Sequence, residues 1–454
     1  MTVPRLSSLS IRAFSWIVVP LLAAGCASTN PQAALDDASK RLEERTGLAL
    51  PTRSGERLAD ASAWLAEPFD ADRAARFALA FDPALRADLE DLGVAQAEYA
   101  QATRLANPTI AGARLHNVPG GDHQAKVSIV ADLLDWIVQP LRRRQAGLEL
   151  ESTKLQVGQR LQDQVARARG AFYEALASRQ VAIRLERVLD LEEAAALLAE
   201  RQVDAGNLNR FDLARQRAAV HETSAELARA RLTATAAREA LARAIGLTGS
   251  PTALLLPDEL PDLPPADPEL GDMEQRAVDS RLDLAAARVA VTALGRALAL
   301  RRATRFSPVG VEVGLERERE PDGTRLEGLS LAIRLPLFDF GGASIAKLRA
   351  EKRRAEYQLA AAELIARSEV REAHASVSAL RELLVLQRDT LLPERLRILD
   401  ETLRRYNMML TGVYDLVQAK RLEIEAEKAT IETWKDYWLA RVELERALGG
   451  GIVE

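Results

Sequence analysis

The sequence predicts a mainly α protein with a small membrane β-barrel portion, built from a duplicated helix–β-hairpin–helix unit. Three observations lead there: a composition of helix formers, an internal repeat at an offset near two hundred residues, and a switch of hydrophobic period inside each copy. Of 454 residues, 48% are hydrophobic and only 4% aromatic. Ala and Leu carry the apolar share and alternate with Arg and Glu, as in long helices. That apolar content excludes disorder, and a single Cys excludes a disulfide scaffold. With 61 Lys and Arg against 66 Asp and Glu the formal charge is −5, so no basic field invites nucleic acid. Beyond Gly25 no run approaches the ~20 apolar residues of a transmembrane helix.

The N-terminus reads as an address. Arg5 and Arg12 precede the apolar run Ala13 to Ala24, so residues 1–25 are expected to be a signal peptide. The lone Cys26 falls at the cut. Leu22-Ala23-Ala24-Gly25-Cys26 resembles the bacterial lipobox, with Ala where Leu is usual three residues before the Cys. The resemblance implies diacylglycerol and palmitate on Cys26, and Ala27 in place of an Asp implies the outer membrane. Two or three acyl chains anchor stably where one does not. An ordinary secreted protein with a chance Cys is the plainer alternative.

The repeat is next. At a constant offset of 203, Arg201 pairs with Arg404, Phe211 with Tyr414, Asp212-Leu213 with Asp415-Leu416, Arg238 with Arg441, Leu241 with Leu444 and Gly246 with Gly449. Upstream, Asn107-Pro108 pairs with Ser307-Pro308, and Leu133-Leu134-Asp135 with Leu337-Phe338-Asp339. A unit of about 170 residues has been duplicated, and both copies must share one architecture. The expected division is a lipid-anchored segment over 26–76, a first repeat over 77–249, a Pro-rich linker over 250–268 that cannot be helix, and a second repeat over 269–450.

Inside each copy the period changes. Val309, Val311, Val313 and Leu315, then Leu329, Leu331, Ile333, Leu335 and Leu337, alternate with polar or small residues around the turn Pro321-Asp322-Gly323. That is a β-hairpin. Copy one repeats it more weakly, with Val127, Ile129, Ala131 and Leu133 facing a strand around Thr109 to Val118 across Pro119-Gly120-Gly121. Long helices flank the hairpins, near 139–204 and 342–406, with shorter ones near 208–245 and 413–448. At ~1.5 Å per residue the longer ones reach about 100 Å, which demands coiled-coil partners.

Four strands of about ten residues, aliphatic on one face and polar or small on the other, have the length that crosses a tilted bilayer path. Trp136, Phe338 and Phe340 stand at strand ends, as in an aromatic girdle. Four strands cannot close a barrel, and open edges are not tolerated in lipid, so strands must be pooled between chains. A hairpin packed on a soluble core is the competing reading. It leaves the helix lengths without a reason.

These residues carry a family resemblance. The duplicated unit, the Asn107-Pro108 opening, the Ser330 to Asp339 segment and the Tyr406 to Leu416 turn before a last helix ending Leu448-Gly449-Gly450 resemble the TolC-type outer-membrane efflux family. The resemblance spans about Phe77 to Gly450. It implies a homotrimer whose twelve strands form one outer-membrane barrel, continued by a long periplasmic α-helical barrel gated at its tip. It also implies a periplasmic membrane-fusion adaptor and an inner-membrane pump of the RND type as partners.

By the same resemblance Asp415 contributes a carboxylate ring to the periplasmic gate, while Tyr406 and Asp212 tie neighbouring helices shut. Gln418 stands where a second ring Asp is usual, and Thr411 where a latch Arg is usual. Read from the residues alone, Asp415 is equally an early-turn carboxylate favoured by the helix dipole. Met408-Met409 is read as packing at a helix hairpin rather than a soft-metal site, and Trp434, Tyr437 and Trp438 as core packing.

The four His residues are dispersed, and no HExxH, GxSxG, phosphate loop or CxxC occurs, so no enzyme, metal site or cofactor is expected. The closing segment resembles the heavy-metal branch more than the drug branch. Drug or organic-solute efflux and type I secretion remain alternatives of the same architecture. A periplasmic adaptor-like lipoprotein is the alternative of another class.

Overall fold

The computed structural model describes residues 31–50, 64–116, 123–250, 254–306 and 310–450. Cys26 and the signal segment, the Pro119-Gly120-Gly121 turn and Ser307-Pro308 lie outside the described residues. After helix α1 (Pro31–Thr46), the first repeat runs α2 (Ala71–Phe81), α3 (Pro83–Ala102), β1 (Thr109–His116), β2 (His123–Asp132), α4 (Leu133–Asp204) and α5 (Arg210–Ala244). The second runs α6 (Met273–Ser280), α7 (Leu282–Ala303), β3 (Gly310–Arg319), β4 (Arg325–Arg334), α8 (Gly342–Leu386), a π turn (Gln387–Leu391), α9 (Leu392–Asn407) and α10 (Val413–Ala447). The first repeat thus opens with a helix at Ala71, ahead of the expected Phe77, because Asp70 caps it by accepting from the Arg73 N–H at 2.6 Å. The long helix expected from Gln139 begins earlier, at Leu133, and takes Pro140 inside its third turn.

Two compact units divide the chain, one over 1–37, 90–154 and 289–355, the other over 38–89, 155–288 and 356–454. The first holds the sheet. Its order is β1-β2-β3-β4, antiparallel throughout. Ile110, Ile129, Leu315 and Leu329 form one cross-strand row, and Val313 with Ala131 and Leu331 the next on the same face. Leu329 is 80% exposed and Ile110 72%, so no helix or loop among the described residues covers this face. On the opposite face Lys126 pairs with Glu316 at 2.7 Å, Gln124 with Glu318, and Arg334 with Glu312 at 3.1 Å. Leu335 and Leu337, expected on the strand, lie past its end at Arg334. Phe338, fully exposed, follows them.

The second unit is a coiled-coil bundle. Val157, Leu161, Val165, Ala168, Phe172 and Ala175 of α4 are all buried, at steps of three and four. The two copies close their last helices alike. In α5 the Gly246 N–H bonds the Arg243 carbonyl and the Leu247 N–H the Ala242 carbonyl; in α10 Gly449 bonds Arg446 and Gly450 bonds Glu445. Both glycines sit at left-handed φ, 71° and 74°. Each packs on the break between its repeat's opening helix pair. A Cβ on Gly246 would stand 2.4 Å from the Asp82 Cα, and one on Gly449 3.0 Å from the Arg281 Cα.

Between the repeats, the described part of the linker (254–268) is bound by side chains. Proline-rich backbone cannot pair as a strand, so its carbonyls take other donors. Arg238 donates to Leu254 at 2.7 Å, Arg179 to Leu256 at 3.0 Å, and Arg381 to Pro264 at 2.8 Å. Trp434 and Trp438 both donate to the Pro261 carbonyl, while the buried Tyr437 hydroxyl donates to Asp267 at 2.6 Å. The expected core role of this aromatic trio is therefore specific: it nails the linker to α10.

Gly246→Ala forces a side chain into the left-handed region and against backbone, and is expected to cost about 3 kcal/mol or more. Thermal unfolding of the detergent-solubilised protein by far-ultraviolet circular dichroism checks this. An unchanged midpoint would mean that the helix end is not held against Asp82.

Candidate functional site

The chemistry-bearing residues gather at the turns that join α4 to α5 and α9 to α10. Offset alignment makes these turns equivalent, and their backbones agree. In the first, Gly206 (φ 75°) closes α4, with the Asn207 N–H on the Gln202 carbonyl at 2.7 Å. In the second, Met409 (φ 58°) occupies the same position, with the Leu410 N–H on the Arg405 carbonyl at 2.9 Å. A left-handed Met is strained by about 1 kcal/mol relative to Gly. Met409 is also 94% exposed, with Met408 and Leu410 mostly exposed beside it, so the expected packing role of Met408-Met409 does not occur within the protomer.

Each turn then starts a helix with Asp at its third position. Asn209 caps α5, accepting from the Asp212 N–H at 2.9 Å, while its amide donates to the Asp212 carboxylate at 2.7 Å. At α10 the Asp415 carboxylate reaches back, accepting from the Thr411 hydroxyl at 2.5 Å and the Gly412 N–H at 3.2 Å. Both carboxylates therefore stabilise helix starts. Thr411 has a physical task here, as donor to Asp415. Asp415 and Gln418 are exposed and three residues apart, so they share a face.

The structure does not bring Tyr406 to Asp212 within the chain. Among the described residues the Tyr406 hydroxyl has no hydrogen-bond partner, and the side chain is 38% exposed. The bond that ties the two turns together is a different one, Tyr414 donating to the Gln202 side chain at 2.9 Å. Burial, and next the Asp212 charge, push the Tyr414 phenol above its ordinary pKa, which keeps it a donor. Above the turns, ion pairs lash α10 to α4 and α5: Arg421 to Glu192 at 3.1 Å, Arg184 to Glu427 at 2.8 Å and Lys435 to Glu174 at 3.4 Å, with Lys428 on Glu226. Sequence reasoning missed Tyr414 and Gln202. The available signal was the offset pair Phe211 and Tyr414, in which one copy gains a hydroxyl.

No helix among the described residues is long and apolar enough to cross a membrane, and no group of three or more His, Cys, Asp and Glu side chains is placed to hold a metal ion.

Comparison with known proteins bears on the whole arrangement. Residues 274–450 match the profile of the family described as outer membrane efflux protein. Protein CyaE of Bordetella pertussis is 28% identical over 366 residues, covering 74% of this chain and 76% of that protein. The outer membrane channel CmeC of Campylobacter jejuni shares the fold with a TM-score of 0.73 at 13% identity, covering 89% of this chain and 90% of its own. CusC, solved to follow conformational changes during folding and transmembrane channel formation, superposes with a TM-score of 0.68 at 16% identity, covering 90% and 98%. CmeC and CusC are both described as channel proteins. The second repeat carries the sequence pattern of the outer membrane efflux protein family, and the described residues share the duplicated helix–hairpin–helix fold of these solved channels.

Proposed function

We propose that the protein is the outer-membrane channel of a tripartite efflux system, a homotrimer that passively conducts what an inner-membrane pump and a periplasmic adaptor deliver. The observation that carries this is the four-stranded sheet, aliphatic and uncovered on one face, charge-paired on the other, and open at both edges. Three such sheets give twelve strands, enough to close a barrel that four cannot. The helices support the same assembly. Among the described residues α9 buries none of its side chains in the protomer, although Leu396, Ile398 and Leu403 lie along it. Cys26 carries lipid that holds the N-terminus on the outer membrane, and the helices extend into the periplasm, where the two turns form the gate.

In this reading Asp415 supplies three carboxylates around the threefold axis, focusing the field on a narrow aqueous mouth. Asp212 and Tyr406 meet between neighbouring helices of the trimer. The substrate proposed first is heavy-metal cations, on the resemblance of the closing segment. On the sheet's polar face Glu312, Glu316 and Glu318 outnumber Lys126 and Arg334, which agrees with a cationic substrate. Drug or organic-solute efflux or type I secretion is the second reading of the same architecture.

Single-channel recording in a salt gradient tests the gate. Asp415→Asn keeps an acceptor for Thr411 and removes the charge, so the reversal potential should move toward zero and block by multivalent cations should weaken, with the trimer intact by native mass spectrometry. Asp415→Ala should do the same and also fray α10, losing about 1 kcal/mol of capping. An unchanged reversal potential in Asp415→Asn would reduce the residue to a helix cap. A monomer that still conducts would overturn the assembly.

Lipidation is checked separately. Cys26→Ser should abolish labelling by a palmitate analogue while trimers still form, because the strands supply their own insertion energy. Equal labelling of both proteins would refute the anchor.

A further inference from the structure

The aliphatic face of the sheet ends in a row of a different kind. Alternate residues along a strand share a face. Arg114 is therefore on the face of Ile110, Arg319 on that of Leu315, and Arg325 on that of Leu329. Register joins them: Arg114 opposes Ala125, Ala125 opposes Arg319, and Arg319 opposes Arg325. All three guanidiniums are exposed, and among the described residues none has a carboxylate partner. The row before it differs, since Arg317 is matched by Glu327 at 2.5 Å. On the other face both cations are paired, Lys126 with Glu316 and Arg334 with Glu312. Among the described residues of the sheet, cations without a carboxylate are therefore confined to one face and to the end nearest the hairpin turns.

Its position on the strand gives the row a meaning. From Ile333 to Arg325 is about 27 Å of strand at ~3.4 Å per residue, or roughly 20 Å along the membrane normal at a tilt near 40°. That nearly spans the apolar band of a barrel, about 25 Å. A lipid-facing Arg is costly at the midplane and almost free at the interface, so the row belongs at headgroup level. There three like charges, about 14 Å across at ~4.8 Å per strand, repel one another unless anions lie between them. Guanidinium forks match phosphate oxygens in pairs.

We propose that Arg114, Arg319 and Arg325 form a docking row for phosphorylated lipid headgroups of the leaflet that the hairpin turns face, one row per protomer. The inference rests on the barrel reading above, in which the aliphatic face meets lipid. The row grips phosphate with its guanidiniums while the aliphatic rows behind it take the acyl chains. It thereby collects an annulus of anionic lipid around the channel.

The experiment reconstitutes the trimer into phosphatidylcholine nanodiscs doped with lipid A, and counts retained lipid by native mass spectrometry. Wild type should retain lipid A over its dephosphorylated form, and free inorganic phosphate should not displace it. The triple variant R114Q/R319Q/R325Q should lose that preference by about fivefold per arginine, the effect of one cation at an anionic surface. Lys126→Gln, on the opposite face, should leave retention unchanged. If the triple variant does not assemble, the three single variants should each lose about fivefold. Equal retention of the two lipid forms, retention by the arginine variants at the wild-type level, or an equal loss in Lys126→Gln would overturn the proposal. Failure of the wild type to insert as a trimer would instead overturn the barrel reading, and the row with it.

Discussion

An open sheet edge is the constraint on which the rest of the molecule depends. β1 and β4 each present an outer row of backbone N–H and C=O groups with no strand beside it among the described residues. In water such groups are solvated. In hydrocarbon each costs several kcal/mol, and no side chain of the sheet can satisfy a whole edge. A protomer whose aliphatic face belongs in lipid is thus incomplete as a single chain. Closure has to come from the β1 and β4 edges of further copies, in the same antiparallel sense that joins β2 to β3. The long helices share the requirement, since Leu396, Ile398 and Leu403 of α9 stay exposed among the described residues.

The duplication gives this unit its rigidity where the two copies meet their own helix breaks. Asp82 in one and Arg281 in the other sit at equivalent breaks, and each is held from several sides. Gln164, itself buried, donates to Asp82 at 2.8 Å and to the Ala244 carbonyl at 2.6 Å. Arg281 pairs with Asp283 and Glu369. Burial works against that guanidinium, but the two carboxylates outweigh it and raise its pKa. One fold position accepts opposite charges in the two copies because its surroundings were rebuilt with it. The helix-end glycines could not be exchanged in that way. Both keep the left-handed backbone and the close approach.

Much of this was legible in residues alone. The offset that pairs Asp212 with Asp415 also places Met409 on Gly206, and their backbones coincide in conformation. Alternation located all four strands, and the aromatic trio of α10 was correctly assigned to packing. What escaped has physical reasons. Helix α4 starts six residues early because Leu133 to Val138, five apolar residues around a single Asp135, shows neither a strand period nor a helix period over so short a run. The linker looked like a spacer because its hydrogen bonds come from distant Arg and Trp side chains, which no local pattern encodes. The Tyr406–Asp212 pairing came from resemblance, and within one chain the nearer bond is between Tyr414 and Gln202, residues far apart in sequence.

The π turn at Gln387–Leu391 has a consequence of its own. Pro393 cannot donate to the carbonyl four residues back, and the wider turn ahead of it absorbs the misfit without ending the helix. Such a turn holds one residue more than an α turn. Side chains beyond it are therefore rotated by about 100° relative to those before it. The neighbour does not change: Val370, Ala373 and Val377 of α8 share a buried cluster with Tyr437 and Leu444 of α10, and α9 runs beside the same helix. A continuous rod thus turns a different face to one partner midway, without a break in its backbone.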